Sequence, residues 1–216
     1  MQLRLTGMLR ACILSCFGAL AASQLPAHPH VFVNTSLRLF VDEAGIATGI
    51  EVAWEYDAFY SLLIMEDLKL DDDADGLLTP EELALLDGFD LNWIEGFLGD
   101  VFVRSDGADV TLGAPEGRGA SVAHGVITTR HFRAFRAPAD GLELRAYDPT
   151  FYTAYSLIAA PDVTGGCRAD VEQADLDKAY TLVEELLYAL PADQAEDNYP
   201  AVGAAFADTV TISCVS

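Results

Sequence analysis

The sequence predicts an α+β fold: an antiparallel β-sandwich-like core, an inserted helix-loop-helix, and a C-terminal helix plus strand. Three observations lead there. Val31, Val33, Leu37, Leu39 and Val41 alternate with more polar neighbours, the period of two that marks a half-buried strand, and short runs of the same kind return later. Residues 57–99 break that pattern with apolar helical stretches flanking an acidic loop. Near the end, Ala174 to Leu190 places Leu176, Tyr180, Val183, Leu187 and Leu190 on one side of a helix, and Val210 to Val215 closes the chain as a strand.

The acidic loop carries the most specific chemistry. Asp71 to Glu82 reads D-D-D-A-D-G-L-L-T-P-E-E, which matches a twelve-residue EF-hand calcium loop. Asp71, Asp73 and Asp75 stand at positions 1, 3 and 5, Leu77 offers its carbonyl at 7, Thr79 stands at 9, and Glu82 closes as the bidentate ligand at 12. Calcium is a hard cation that takes six to eight oxygens, and alternate residues of a tight loop point their carboxylates at one centre. Gly76 suits the sharp turn, where the backbone needs positive φ. Thr79 and Pro80 also start a helix, as N-cap and first helical residue. An acidic surface loop is the plainer alternative. A second D-x-D-x-D-G run does not occur, so the loop reads as a structural clip between two helices rather than half of a paired sensor.

The chain has 216 residues, 34 acidic against 12 basic, and a net charge of −22. That balance argues against nucleic acid and anionic membrane surfaces as partners and favours cations. Residues 1–27 read as a signal peptide, with Arg4 and Arg10 before the short apolar core Ala11 to Ala22. Two cleavage positions compete, one after Ala21 and one directly before His28. The core is too short to span a bilayer, so no stable membrane insertion is expected after cleavage. Residues 28–216 are then expected to form a single domain, periplasmic or otherwise exported. Cys12 and Cys16 leave with the leader, and the remaining Cys167 and Cys214 are expected to pair. The closed loop of about 48 residues is worth on the order of 4 kcal/mol in the chain-entropy treatment.

Strands are expected at the start of this domain and at Gly49 to Trp54, Val101 to Arg104, Asp109 to Leu112 and Leu142 to Tyr147, with one or two more over Ser121 to Phe135. In the helical insertion, Phe59, Leu62, Leu63 and Met65 are candidates for burial, and Leu91 to Phe97 for a further helix. Four histidines bear on metal chemistry. His28 and His30 share one side of an extended chain, and a chain beginning at His28 would add its α-amine as a ligand. His124 shares a strand face with Val122 and Val126 and is expected to point inward, as a third ligand or a core histidine. His131 lies among Arg130, Arg133 and Arg136, which disfavour a cation.

HPHVFV after the leader, WEYDAFYS, the D-x-D-x-D-G loop, YDPTFY and a final TISC strand follow one another in that order. In this order they resemble an uncharacterised periplasmic family, domain-of-unknown-function family 1007, commonly labelled a periplasmic component of an ABC-type transport system. The resemblance implies a metal-handling accessory to a membrane transporter for Ni2+, Co2+ or Zn2+, and the imidazole ligands at His28 and His30 would also suit Cu2+.

Three function classes follow. The first is a non-enzymatic exported metal-binding protein, with Ca2+ in the loop and a transition metal at His28, His30 and His124. The second is a calcium-stabilised interaction protein without a transition-metal site. The third is a copper histidine-brace oxidative enzyme, which requires cleavage before His28. No catalytic residue is assigned, because G-x-S-x-G and H-E-x-x-H do not occur.

Overall fold

Strand alternation builds two sheets over one core. The structure, a computed structural model, describes residues 29–73, 77–191 and 199–215. The expected leader, His28, Asp75 and Gly76 lie outside the described residues. In chain order the elements are β1 (Val31–Val41), β2 (Ile46–Tyr56), α1 (Ala58–Leu68), α2 (Pro80–Leu86), β3 (Val101–Ser105), β4 (Ala108–Asp109), β5 (Glu116–Ala123) and β6 (Val126–Pro138). They continue as β7 (Glu143–Ala146), β8 (Thr153–Leu157), β9 (Asp162–Val163), β10 (Cys167–Glu172), α3 (Leu176–Tyr188), a 3₁₀ turn at Gly203–Phe206, and β11 (Thr209–Cys214).

One sheet runs β5-β6-β2-β1-β8, with β9 also on β1, and the other runs β10-β11-β7-β3-β4. The β1–β2 hairpin turns where Asp42 Oδ1 accepts from the backbone N–H groups of Ala44 and Ile46. Pairing is antiparallel except where β8 and β9 lie parallel to β1, reached only after the long excursion through the second sheet. Val33, Leu39, Ile50, Val52 and Ile127 of the first sheet share a core with Val101, Leu144, Val210 and Ile212 of the second. The mixed helix and strand content and the two antiparallel-rich sheets agree with the α+β expectation.

Several local expectations are corrected. Leu91 to Phe97 is not helical; it runs irregularly across the core. The strand expected at Asp109 to Leu112 is reduced to Ala108–Asp109. In α1 the buried side chain is Ser61, whose Oγ accepts from the Ile127 N–H, while Phe59, Leu62 and Leu63 face outward. The helix is apolar nearly all round, so its sequence could not say which side would meet the sheet. α3 buries Ala179 and Val183, with Leu187 packed beside Val183, whereas Leu176 and Tyr180 of the expected side are each 51% exposed. Beside it Phe151 stacks on Phe206 at 3.7 Å between ring centroids.

Cys167 and Cys214 form a disulfide between directly opposed residues of β10 and β11, closing a sequence separation of 47. A bridge of this kind belongs to an oxidising compartment. Among the described residues no helix is long and apolar enough to cross a membrane.

Candidate metal centre

α1 ends where Lys69 turns left-handed at φ 54, and Asp71 follows at φ 56. That bend turns the chain back towards α2, whose N-cap is Thr79 with Pro80 after it. Glu82 then does two jobs. Its Oε2 accepts from the Thr79 backbone N–H and hydroxyl, both at 2.8 Å, which with the return bond from Glu82 N to Thr79 Oγ1 makes a capping box. Its Oε1 accepts from Asp71 N–H at 2.9 Å, so the last residue of the loop is tied to the first. These donors hold the Glu82 carboxyl below its ordinary range, the Thr79 backbone N–H contributing most.

A hollow lies over this closure, lined by Asp72, Asp73, Leu77, Leu78, Thr79 and Glu82. The donor set at Asp71, Asp73, Leu77, Thr79 and Glu82 is all oxygen, which suits a hard cation and not a soft one. Among the described residues no group of three or more His, Cys, Asp or Glu converges as a metal cluster. Glu82 is aligned with the loop's start, and a bound cation would compete with its three hydrogen bonds.

The histidines are spread out. His30 donates its backbone N–H to Tyr152 O at 2.8 Å, and its ring packs against Tyr152 at 4.7 Å. His124 does not point inward, contrary to the strand reading. With Gly125 it forms the two-residue turn between β5 and β6, both residues at positive φ, and it is exposed. His30 and His124 lie at the same end of the first sheet, but β2 separates β1 from β6, a lateral gap of roughly 10 Å between strands.

The turn at His124 resets the alternation, so the inward histidine is His131. It is fully buried, between Trp54 at 4.7 Å and Trp93 at 5.7 Å, and neither ring nitrogen has a hydrogen-bond partner among the described residues. Burial, with the nearby Arg133 charge, brings its pKa down to about 4, so the ring is neutral. Arg133 is itself buried, donating to the carbonyls of Leu98, Leu112 and Gly113 with its guanidinium over Trp93. Gly99 permits that approach, since a Cβ there would lie 2.3 Å from the Trp93 ring.

Two aspartates complete this interior. Asp90 accepts from the Tyr56 and Thr129 hydroxyls. Asp100, at φ 51, accepts from Tyr155 Oη at 2.9 Å, and burial pushes its carboxyl up to about 7. Sequence reading missed this group. The signal was present, because Ile127, Thr129, His131, Arg133 and Phe135 alternate once the turn is placed at His124-Gly125.

The family described as "Protein of unknown function (DUF1007)" matches residues 13–214. The chain belongs to that family. No curated protein matches it. Among solved structures it is similar to acetylcholine-binding protein type 1 of Biomphalaria glabrata, at 13% identity, covering 91% of this chain and 92% of that one, with a TM-score of 0.35. A likeness that low carries no argument about fold or ligand.

Proposed function

We propose that this family member is an exported, non-enzymatic metal-binding accessory protein, supporting divalent transition-metal transport at a membrane transporter and carrying a structural calcium loop at Asp71–Glu82. The observation that carries the calcium part is Glu82, the loop's last residue, whose carboxylate accepts from Asp71 N–H at the loop's start and from Thr79 N–H at its ninth position. In an EF-hand loop the twelfth residue is the glutamate that takes the cation through both carboxylate oxygens, and Glu82 lies within hydrogen-bond reach of the loop's first residue. The Cys167–Cys214 bridge supports export, and the net charge of −22 supports cations as ligands.

A second reading, the calcium-stabilised interaction protein, is favoured by one observation. His124 sits at an exposed turn while His30 packs on Tyr152, so these two expected ligands are held apart. Native mass spectrometry of protein exported through its own leader separates the readings. One calcium plus one Zn2+, Ni2+, Co2+ or Cu2+ on chains beginning at His28 is the expected result. Calcium alone, after challenge with each transition metal, selects the interaction protein, and protein without calcium defeats both.

A further inference from the structure

The outward side of α1 is largely exposed among the described residues. Phe59, Leu62 and Leu63 are 68%, 48% and 41% exposed, and they sit at i, i+3 and i+4 on one stripe. The opposite side already meets the core through Tyr60, Ile64, Met65 and Leu68. A helix apolar on both sides is stable in water only at a cost, and a bulky apolar stripe in the open marks a contact surface. Phe32, 55% exposed, is held at the same corner, because its backbone N–H donates to Asp57 Oδ2 and its carbonyl accepts from Asp57 N–H.

The charges around the stripe say what kind of partner fits. Glu66 and Asp67 are exposed in the last turn of α1, where the helix dipole disfavours carboxylates, and the helix contains no basic residue. Asp71 and Asp72 follow a few residues on, and Lys69 is the single basic residue between them and Asp67. Neither the bare leucines nor the misplaced acids stabilise α1. Both become favourable against a surface that is apolar and basic together.

We propose that the outward face of α1 (Phe59, Leu62, Leu63, Glu66 and Asp67) docks an amphipathic helical segment of a partner protein that presents bulky apolar residues beside Lys or Arg. Recognition is of the helix-on-groove kind, with apolar anchors on the stripe and basic side chains on the carboxylate end. The proposal stands independently of whether the loop binds calcium.

The test uses the ¹⁵N-labelled chain beginning at His28 and a synthetic helical peptide of about 14 residues, leucine on one face and lysine on the other, with a Glu-for-Lys peptide as control. Saturable shifts confined to the amides of residues 58–68 and their neighbours are expected with the Lys peptide, and none with the Glu peptide. The exposed changes Phe59→Ser with Leu63→Ser, and separately Glu66→Lys with Asp67→Lys, should each weaken binding by about tenfold or more. The same result with calcium chelated supports docking apart from the calcium reading.

Binding unchanged by the serine pair would mean attraction to the chain's overall charge and would overturn the proposal. Equal binding of the Glu peptide would overturn it as well. Self-association of the chain that disappears with Phe59→Ser and Leu63→Ser would assign the face to a second copy instead.

Discussion

Asp100 and His131 are buried in the same interior yet respond to pH in opposite directions. Asp100 titrates near 7 in the fold against an ordinary value of 3.8, so its contribution to stability is present in acid and is lost as pH rises through about 7. His131 titrates near 4 against an ordinary 6.5, so its contribution is present above 6.5 and is lost as pH falls towards 4. Across that shared window the two slopes oppose each other. Asp100→Asn removes one of them. Its melting temperature should exceed that of the unsubstituted protein at about pH 8 and fall more steeply on acidification towards about pH 4.5. Matching pH profiles for the two proteins would show that Asp100 ionises as an ordinary carboxyl.

The two helices of the 57–99 excursion are held differently, and two leucines show it. Leu86 of α2 is fully buried in the common core, whereas Leu62 of α1 is 48% exposed. Leu86→Ala should cost about 2–5 kcal/mol in urea unfolding, the range for a truncated core leucine. Leu62→Ala should stay within about 0.5 kcal/mol. A large loss at Leu62 would mean that α1 packs its outward side inside the fold. The element scale is also where the sequence was most and least legible. β1 declares itself because alternation of Val31, Val33, Leu37 and Leu39 maps directly onto one buried face. α2 declares itself through Thr79, Pro80 and Glu82, whose capping chemistry is local. α1 offered no such asymmetry, and its burial was decided by the sheet beneath it. His124 was misplaced because one turn, His124-Gly125, shifts every later residue of β6 to the other face.

At the scale of the whole molecule, two sheets share a core and residues 57–99 pack onto it, with Asp90 bonded to Tyr56 and Thr129 and Trp93 packed on His131, while Cys167–Cys214 ties β10 to β11 within one sheet. Sequence periodicity could set out the strands but not which distant residues the crossing segment would bring together. Asp90, Asp100 and His131 are separated along the chain and are linked through aromatic neighbours: Trp93 donates to Asp90 O and packs on His131, and Trp54 packs on His131 and on Tyr155, the partner of Asp100. The acidic loop expected to take calcium could be singled out because its candidate donors lie within twelve residues. The histidines could not, because a site built from His30 and His124 depends on two strands that the sheet order separates.

The central claim is that Asp71–Glu82 binds calcium with Glu82 as its closing ligand. Calorimetric titration of calcium into the metal-free protein, beside Glu82→Gln, tests it most directly. One calcium per chain is expected for the unsubstituted protein, with an affinity loss of about tenfold or more in Glu82→Gln, since the amide keeps the shape but gives up the charge. No heat of binding in the unsubstituted protein, or equal affinity in both, would contradict it and leave the loop as a helix-capping turn.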